Sequence, residues 1–280
     1  MNPSAADHPL VCDQVGVGVP GRPLLATVST QFAPGRVTAI LGPNGAGKST
    51  LLSMLSGQRA PRSGSVRLAG KVLSAFTALD LARHRAVLPQ ETVVAFDFTV
   101  QEVVEMGRFP HRQRPSRHEA RIVHEAMAAT GVAQLAGRSV NTLSGGERAR
   151  SHLARALAQI WEPLPEGTAR WLLLDEPTAA LDLAHQHQAM ALVRRWAVEQ
   201  GIGVVAVLHD LNLALRYAHD SLLLAPGLSG VQMVGATVDL LTPETIAHVW
   251  GVRSVRVSAA DGVPQCLVAE NLVAQMPFRA

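Results

Sequence analysis

Apolar positions along the chain gather in short unbroken runs, each closed by glycine, proline or acidic residues. The run 37–41 (VTAIL) predicts a buried strand, and a glycine-rich turn leads from it into a helix over residues 48–56. Ser63-Gly64 marks a turn before a strand at 65–68, and 86–88 reads as another short strand. Further apolar runs fall at 171–174 (WLLL), 204–208 (VVAVL) and 222–225, with a helical stretch at 211–218. From about residue 100 to 158 the apolar spacing becomes mostly helical, with breaks at Pro110, Pro115 and Gly131. Strands apolar on both sides, alternating with helices, predict a mostly parallel sheet covered on both faces. The helical block is then an insertion into it. Thr242 as N-cap with Pro243 in the first helical position starts a helix in the last fifty residues, which read as a small α/β appendage. Residues 163–169 are rich in Pro and Gly and read as an exposed connector.

Composition narrows the class. Of 280 residues, 48% are apolar and 17% charged, enough to bury a large core and too apolar for a disordered chain. The formal net charge is only +3; the modest cluster Arg108, Arg112, Arg114 and Arg117 weakly favours anionic partners and reads first as a solvated basic face. Cys12 and Cys266 lie far apart and form no CxxC or Cys/His metal spacing, which fits a reducing compartment. Residues 1–10 contain Pro, Asp and His and lack the apolar stretch of a signal peptide. No apolar run approaches the ~20 residues of a membrane-spanning helix, so any membrane role requires a partner.

Three motifs carry chemistry. Gly42-Pro43-Asn44-Gly45-Ala46-Gly47-Lys48-Ser49, followed by Thr50, fits GxxxxGK[ST] between a strand and a helix. Small residues there let backbone N–H groups surround phosphate oxygens, and the helix start adds positive potential. Lys48 supplies a charge for the β- and γ-phosphates and Ser49 a hydroxyl for Mg²⁺. Second, the run at 171–174 ends on Asp175-Glu176. Ligands of open α/β sheets sit at the C-terminal strand ends, which puts Asp175 in the Mg²⁺ shell and Glu176 in reach of an attacking water as general base. Third, Leu143-Ser144-Gly145-Gly146-Glu147 precedes a helix over 148–160, in which Leu153, Ala156, Leu157 and Ile160 share a face. Ser144 and Glu147 have capping-box spacing. Two glycines after a cap are poor for a helix, and they make sense where an anion must approach bare backbone.

Together these elements resemble the nucleotide-binding subunits of ABC transporters. The resemblance rests on the order and spacing of the phosphate loop, LSGGE at 143–147, LLLDEPT at 172–178, Ala180-Leu181-Asp182 and His209-Asp210, and covers roughly residues 10 to 260. It implies a RecA-like P-loop NTPase core with an inserted helical sub-domain, divided as core at about 1–95 and 160–230, helical sub-domain at 96–159 and appendage at 231–280. It also implies a head-to-tail homodimer holding ATP between the phosphate loop of one copy and residues 144–147 of the other. Gln90 matches the family's Q-loop glutamine, which senses Mg²⁺ or water, His209 its γ-phosphate histidine, and Asp182 its interface aspartate. The implied partners are two copies of a polytopic permease and, indirectly, a periplasmic haem-binding protein. The implied location is peripheral, on the cytoplasmic face of a bacterial inner membrane, with no nucleic acid.

Within the family, residues 86–90, 96–100, 103–104, 106–108 and 181–186 resemble the haem-import subgroup, close to ferric-siderophore and vitamin B12 importers. Those neighbours remain the alternative substrates. A non-transport ABC ATPase, regulatory or ribosome-acting, is a further alternative, although ribosome-associated members carry two such cassettes in one chain. The long coiled coil of DNA-repair and chromosome-organising ATPases does not fit, because Gln90 and Leu143 are too close and Pro110 and Pro115 break the path. The chain departs from the family at Val19, aligned where an aromatic residue usually stacks on adenine. His185 and His187 lie two apart, and on a helix they point about 200° from each other, so they cannot grip one iron.

Overall fold

The computed structural model describes residues 8–19, 21, 23–90, 96–164, 167–225 and 231–273. The chain opens with β1 (Leu10–Val17) and β2 (Ala26–Phe32), an antiparallel pair, followed by β3 (Val37–Leu41) and α1 (Lys48–Leu55). Next come β4 (Ser65–Leu68), β5 (Lys71–Val72), α2 (Ala78–His84) and β6 (Arg85–Leu88). Three helices follow: α3 (Val100–Met106), α4 (Glu119–Ala129) and α5 (Gly145–Gln159). The chain then returns through β7 (Trp171–Asp175), α6 (Leu183–Gln200), β8 (Gly203–Val207), α7 (Leu211–Tyr217) and β9 (Asp220–Ala225). It ends with β10 (Val231–Ala236), α8 (Thr237–Leu240), α9 (Pro243–Trp250) and the hairpin β11 (Val252–Ser258) and β12 (Pro264–Val273).

The central sheet has the order β10-β9-β3-β8-β7-β6. Its pairings are parallel except that of β10 with β9. Every residue of β3 and β8 is buried, because both faces are covered. Leu172 and Leu174 point into a core with α5, α6 and α7, while Trp171 and Leu173 point to the opposite core with α1 and the antiparallel sheet β2-β1-β4-β5. Residues from α3, α4 and α5 form a third core of their own around Val103, Ile122, Met127 and Ala154. The expected α/β architecture with a helical insertion is therefore present.

Two differences from the sequence reading have physical causes. The helix placed at 148–160 begins at Gly145, since Ser144 caps it and both glycines enter its first turn. The antiparallel sheet was not anticipated. In β1 the register against β2 shifts between Cys12 and Val15, with Gln14 at φ +50 and its N–H donating to Ser29 Oγ. A bulge of this kind interrupts the period-2 alternation that reveals a half-buried strand. In addition, β10, within the segment read as an appendage, extends the central sheet.

Candidate active site

The candidate site residues gather at the C-terminal ends of β3, β7 and β8. After Leu41 the backbone turns through Gly42, whose φ of +147 and whose absent Cβ, which would lie 2.2 Å from the Leu224 carbonyl oxygen, both require glycine. Gly47, at φ +92, is the N-cap of α1 and provides no side-chain acceptor, so the first N–H groups of the helix are left for a ligand. Leu25, Asn44 to Thr50, Glu176 and His209 line a concavity of about 330 Å³ around them. Lys48 is only 6% exposed, and its ammonium donates to the carbonyl oxygens of Gly42 and Pro43, each at 3.0 Å. Burial lowers its pKa, and the nearby Glu176 and Asp175 carboxylates oppose that shift.

The Ser49 hydroxyl donates to Asp175 Oδ1 at 2.9 Å. Burial raises the Asp175 pKa first of all, and the Ser49 hydrogen bond pulls it back. Two hard oxygen donors held side by side next to the phosphate cradle suit Mg²⁺. Glu176, one residue on, adopts φ +50. A non-glycine residue in this region costs of order 1 kcal/mol or more and is typical of sites where geometry outranks local stability. The twist aims its carboxylate between two groups. Gln90 Nε2 donates to Oε2 at 2.9 Å, and His209 Nε2 lies 2.6 Å from Oε1. His209 is held in place from behind, since Leu208 N–H bonds to the Ile40 carbonyl and Asp210 caps α7 through the N–H groups of Asn212 and Leu213.

The remaining motif residues lie elsewhere. Ser144 and Glu147 form a complete capping box, with the Ser144 hydroxyl accepting from Glu147 N–H and the Glu147 carboxylate accepting from Ser144 N–H. Gly145 and Gly146 follow with ordinary helical backbone. A Cβ on either would meet its nearest neighbour, at Ala180, at 3.9 and 3.6 Å, ordinary contact distances. Neither the backbone nor the packing of this chain thus demands glycine at these two positions. Asp182 caps α6 by accepting from His185 N–H, and His185 Nδ1 lies 2.8 Å from its carboxylate. His187 Nδ1 instead meets the Tyr217 hydroxyl at 2.9 Å, so the two histidines have separate partners.

Val19 is 38% exposed and does not line the cradle, whereas Leu25 does. Sequence reasoning missed Leu25, which carries no signal beyond being apolar. Residues 91–95, just after Gln90, lie outside the described residues. No helix among the described residues is long and apolar enough to cross a membrane.

This fold and this cradle define a P-loop nucleotide-binding ATPase. The ABC transporter family profile matches residues 25–179. The chain is 51% identical over 242 residues to the hemin import ATP-binding protein HmuV of Gloeobacter violaceus, covering 86% of each chain. It is 46% identical over 273 residues to the protein of the same name from Burkholderia pseudomallei, covering 92% of this chain and 99% of that one. Among solved structures, a metal-chelate type ABC transporter in an inward-facing conformation superposes with a TM-score of 0.76 at 26% identity, over 94% of this chain and 98% of the other. The chain belongs to the ABC transporter family, as an ATP-binding subunit whose ATPase activity is coupled to transport.

Proposed function

We propose that this subunit hydrolyses Mg-ATP in a head-to-tail homodimer and thereby powers haem uptake through two copies of a polytopic permease. It would be fed by a periplasmic haem-binding protein and would sit peripherally on the cytoplasmic face of a bacterial inner membrane. The observation that carries the hydrolytic reading is the convergence of Gln90 and His209 on Glu176 beside the Ser49–Asp175 pair. Haem is favoured over siderophores or vitamin B12 by the hemin-import relatives at 51% and 46% identity.

In this reading residues 42–50 hold the triphosphate through backbone N–H groups, and Lys48 leaves its two carbonyl partners to meet the β- and γ-phosphates. Ser49, Asp175 and Gln90 would hold Mg²⁺, which supplies charge neutralisation on the phosphates when bound. Glu176 accepts the proton of the attacking water, and Gln90 keeps its carboxylate oriented. His209 donates to the terminal phosphate, where charge develops. Residues 144–147 of the second copy, with Asp182 at the interface, close over the nucleotide. The division into a core at about 1–95 and 160–230, a helical sub-domain at 96–159 and an appendage at 231–280 assigns the movement to the helical sub-domain, displaced as a body when the interface opens.

The test is ATPase activity of the subunit reconstituted in vesicles with its permease. Haem supplied by the binding protein should stimulate turnover, and ferric siderophore and cobalamin should not. Stimulation by cobalamin alone would reassign the substrate. Base recognition gives a second expectation. With Leu25 rather than an aromatic ring among the residues lining the cradle, ATP and GTP should compete for it within about tenfold of one another, since aromatic stacking contributes ~1–3 kcal/mol per base. A hundredfold preference for ATP in competition binding would show that another group reads the base.

A further inference from the structure

Helix α5 is packed along its length, with Leu153, Ala156 and Leu157 in the core that includes the central sheet and Ala154 and Ala158 in the helical core. Near its C-terminus the Gln159 side chain donates to the carbonyl oxygens of Ala82 and Arg85 at 2.7 and 2.9 Å. His111 Nε2 lies 2.8 Å from the Gln159 carbonyl, and Arg83 Nε donates to the Pro110 carbonyl at 2.9 Å. These bonds tie the helical sub-domain to the core around α2 and β6. At its N-terminal end α5 instead borders a cleft of about 410 Å³, whose walls include Gly145 and His152 on one side and Gln90 and Glu176 on the other.

His152 faces that gap in an unusual state. It is 2% exposed, and neither ring nitrogen has a hydrogen-bond partner. Burial, together with Arg155 and Arg148, pushes its pKa down to about 4, so the ring is neutral at physiological pH and offers one donor and one acceptor. Buried polar groups left unpaired destabilise a fold, and an apolar side chain of similar size would be more favourable in this conformation. The position is notable because α5 carries Ser144, Gly145 and Gly146 about two turns away. One helix therefore touches the chain's own Gln90–Glu176 cleft and bears the element that, on the reading above, covers the second copy's nucleotide.

We propose that His152 is a positioning residue that couples each subunit's own Gln90–Glu176 pair to the signature turn it lends to its partner, finding its missing hydrogen-bond partner when the cleft closes. The unpaired imidazole disfavours the open cleft. Closure satisfies it and fixes the helix that carries Ser144, Gly145 and Gly146, so occupation of one site favours assembly of the other. This inference rests on the paired-site reading, and the experiment separates the two.

The test uses the full chain with His152→Leu and His152→Gln. His152→Leu removes both nitrogens at similar volume. It should melt at the wild-type temperature or above, while kcat falls about fivefold or more and the Hill coefficient for ATP drops toward 1. His152→Gln, which keeps a donor and an acceptor, should retain most of the rate and the cooperativity. If leucine prevents folding, His152→Met carries the same comparison. Wild-type kcat and Hill coefficient in the apolar variant would overturn the coupling, as would a glutamine variant as impaired as the leucine one at unchanged melting temperature. The paired-site reading is checked independently by ATP-driven dimerisation of Glu176→Gln. If that dimer forms while His152→Leu behaves as wild type, the coupling fails and the paired sites stand.

Discussion

Glu176→Gln should lower ATP turnover by about 10²–10⁴-fold, the usual contribution of a positioned general base, while leaving ATP binding intact. The amide keeps the shape of the carboxylate and can still meet Gln90 and His209, which approach it at 2.9 and 2.6 Å. It cannot accept a proton from water. The phosphate cradle, Lys48 and the Ser49–Asp175 pair are untouched, so nucleotide should still bring two copies together. Without hydrolysis they should stay together. Size-exclusion chromatography with ATP and Mg²⁺ should show a stable dimer of the variant, while the wild type returns to monomer as ATP is consumed. Turnover near the wild-type rate would remove Glu176 from the role of base. A variant that stays monomeric with saturating ATP would remove the shared interface.

Much of this site was legible in the sequence because its chemistry is local. The phosphate loop needs consecutive small residues and a lysine, and residues 42–49 supply them in order. The Asp175-Glu176 pair announces itself by ending an apolar strand. The Ser144–Glu147 capping box is a four-residue pattern, and the structure forms both of its hydrogen bonds. What the sequence concealed is geometry between distant segments. Nothing in the string shows that Glu176 sits at φ +50, or that Gln90 and His209 meet its two carboxylate oxygens. Leu25 at the cradle and His152 at the cleft have no motif around them, and their roles come from what packs nearby. The first sheet was hidden because the bulge at Gln14 in β1 breaks the alternation by which a half-buried strand is recognised. Parallel strands were easier, since strands buried on both faces are written as unbroken apolar runs.

Lys48→Met should separate stability from function more sharply than any other single change. The substitution keeps an apolar stem of similar length and removes the charge. In the structure the ammonium is buried and bonded only to the Gly42 and Pro43 carbonyls. Burial lowers its pKa relative to the unfolded chain. A lysine with a lowered folded pKa binds its proton less tightly once folded, so at neutral pH its charge works against folding. The variant should therefore melt at or slightly above the wild-type temperature. Its nucleotide affinity should move in the opposite direction. Asp175 and Glu176 lie close by, and without Lys48 the incoming triphosphate meets two carboxylates with no side-chain cation among the groups lining the cradle, where only His209 remains as a titratable donor. Removing one partner of a desolvated charge pair costs about 2–5 kcal/mol, which corresponds to about 30-fold or more in affinity. Calorimetric titration with ATP should register this loss, and dimerisation with ATP should vanish with it, unlike in Glu176→Gln. Lys48→Arg should not restore either, because the fork of a guanidinium does not fit the point-charge position between the two carbonyls. An ATP affinity equal to wild type in the methionine variant would mean that the loop's backbone alone holds the triphosphate.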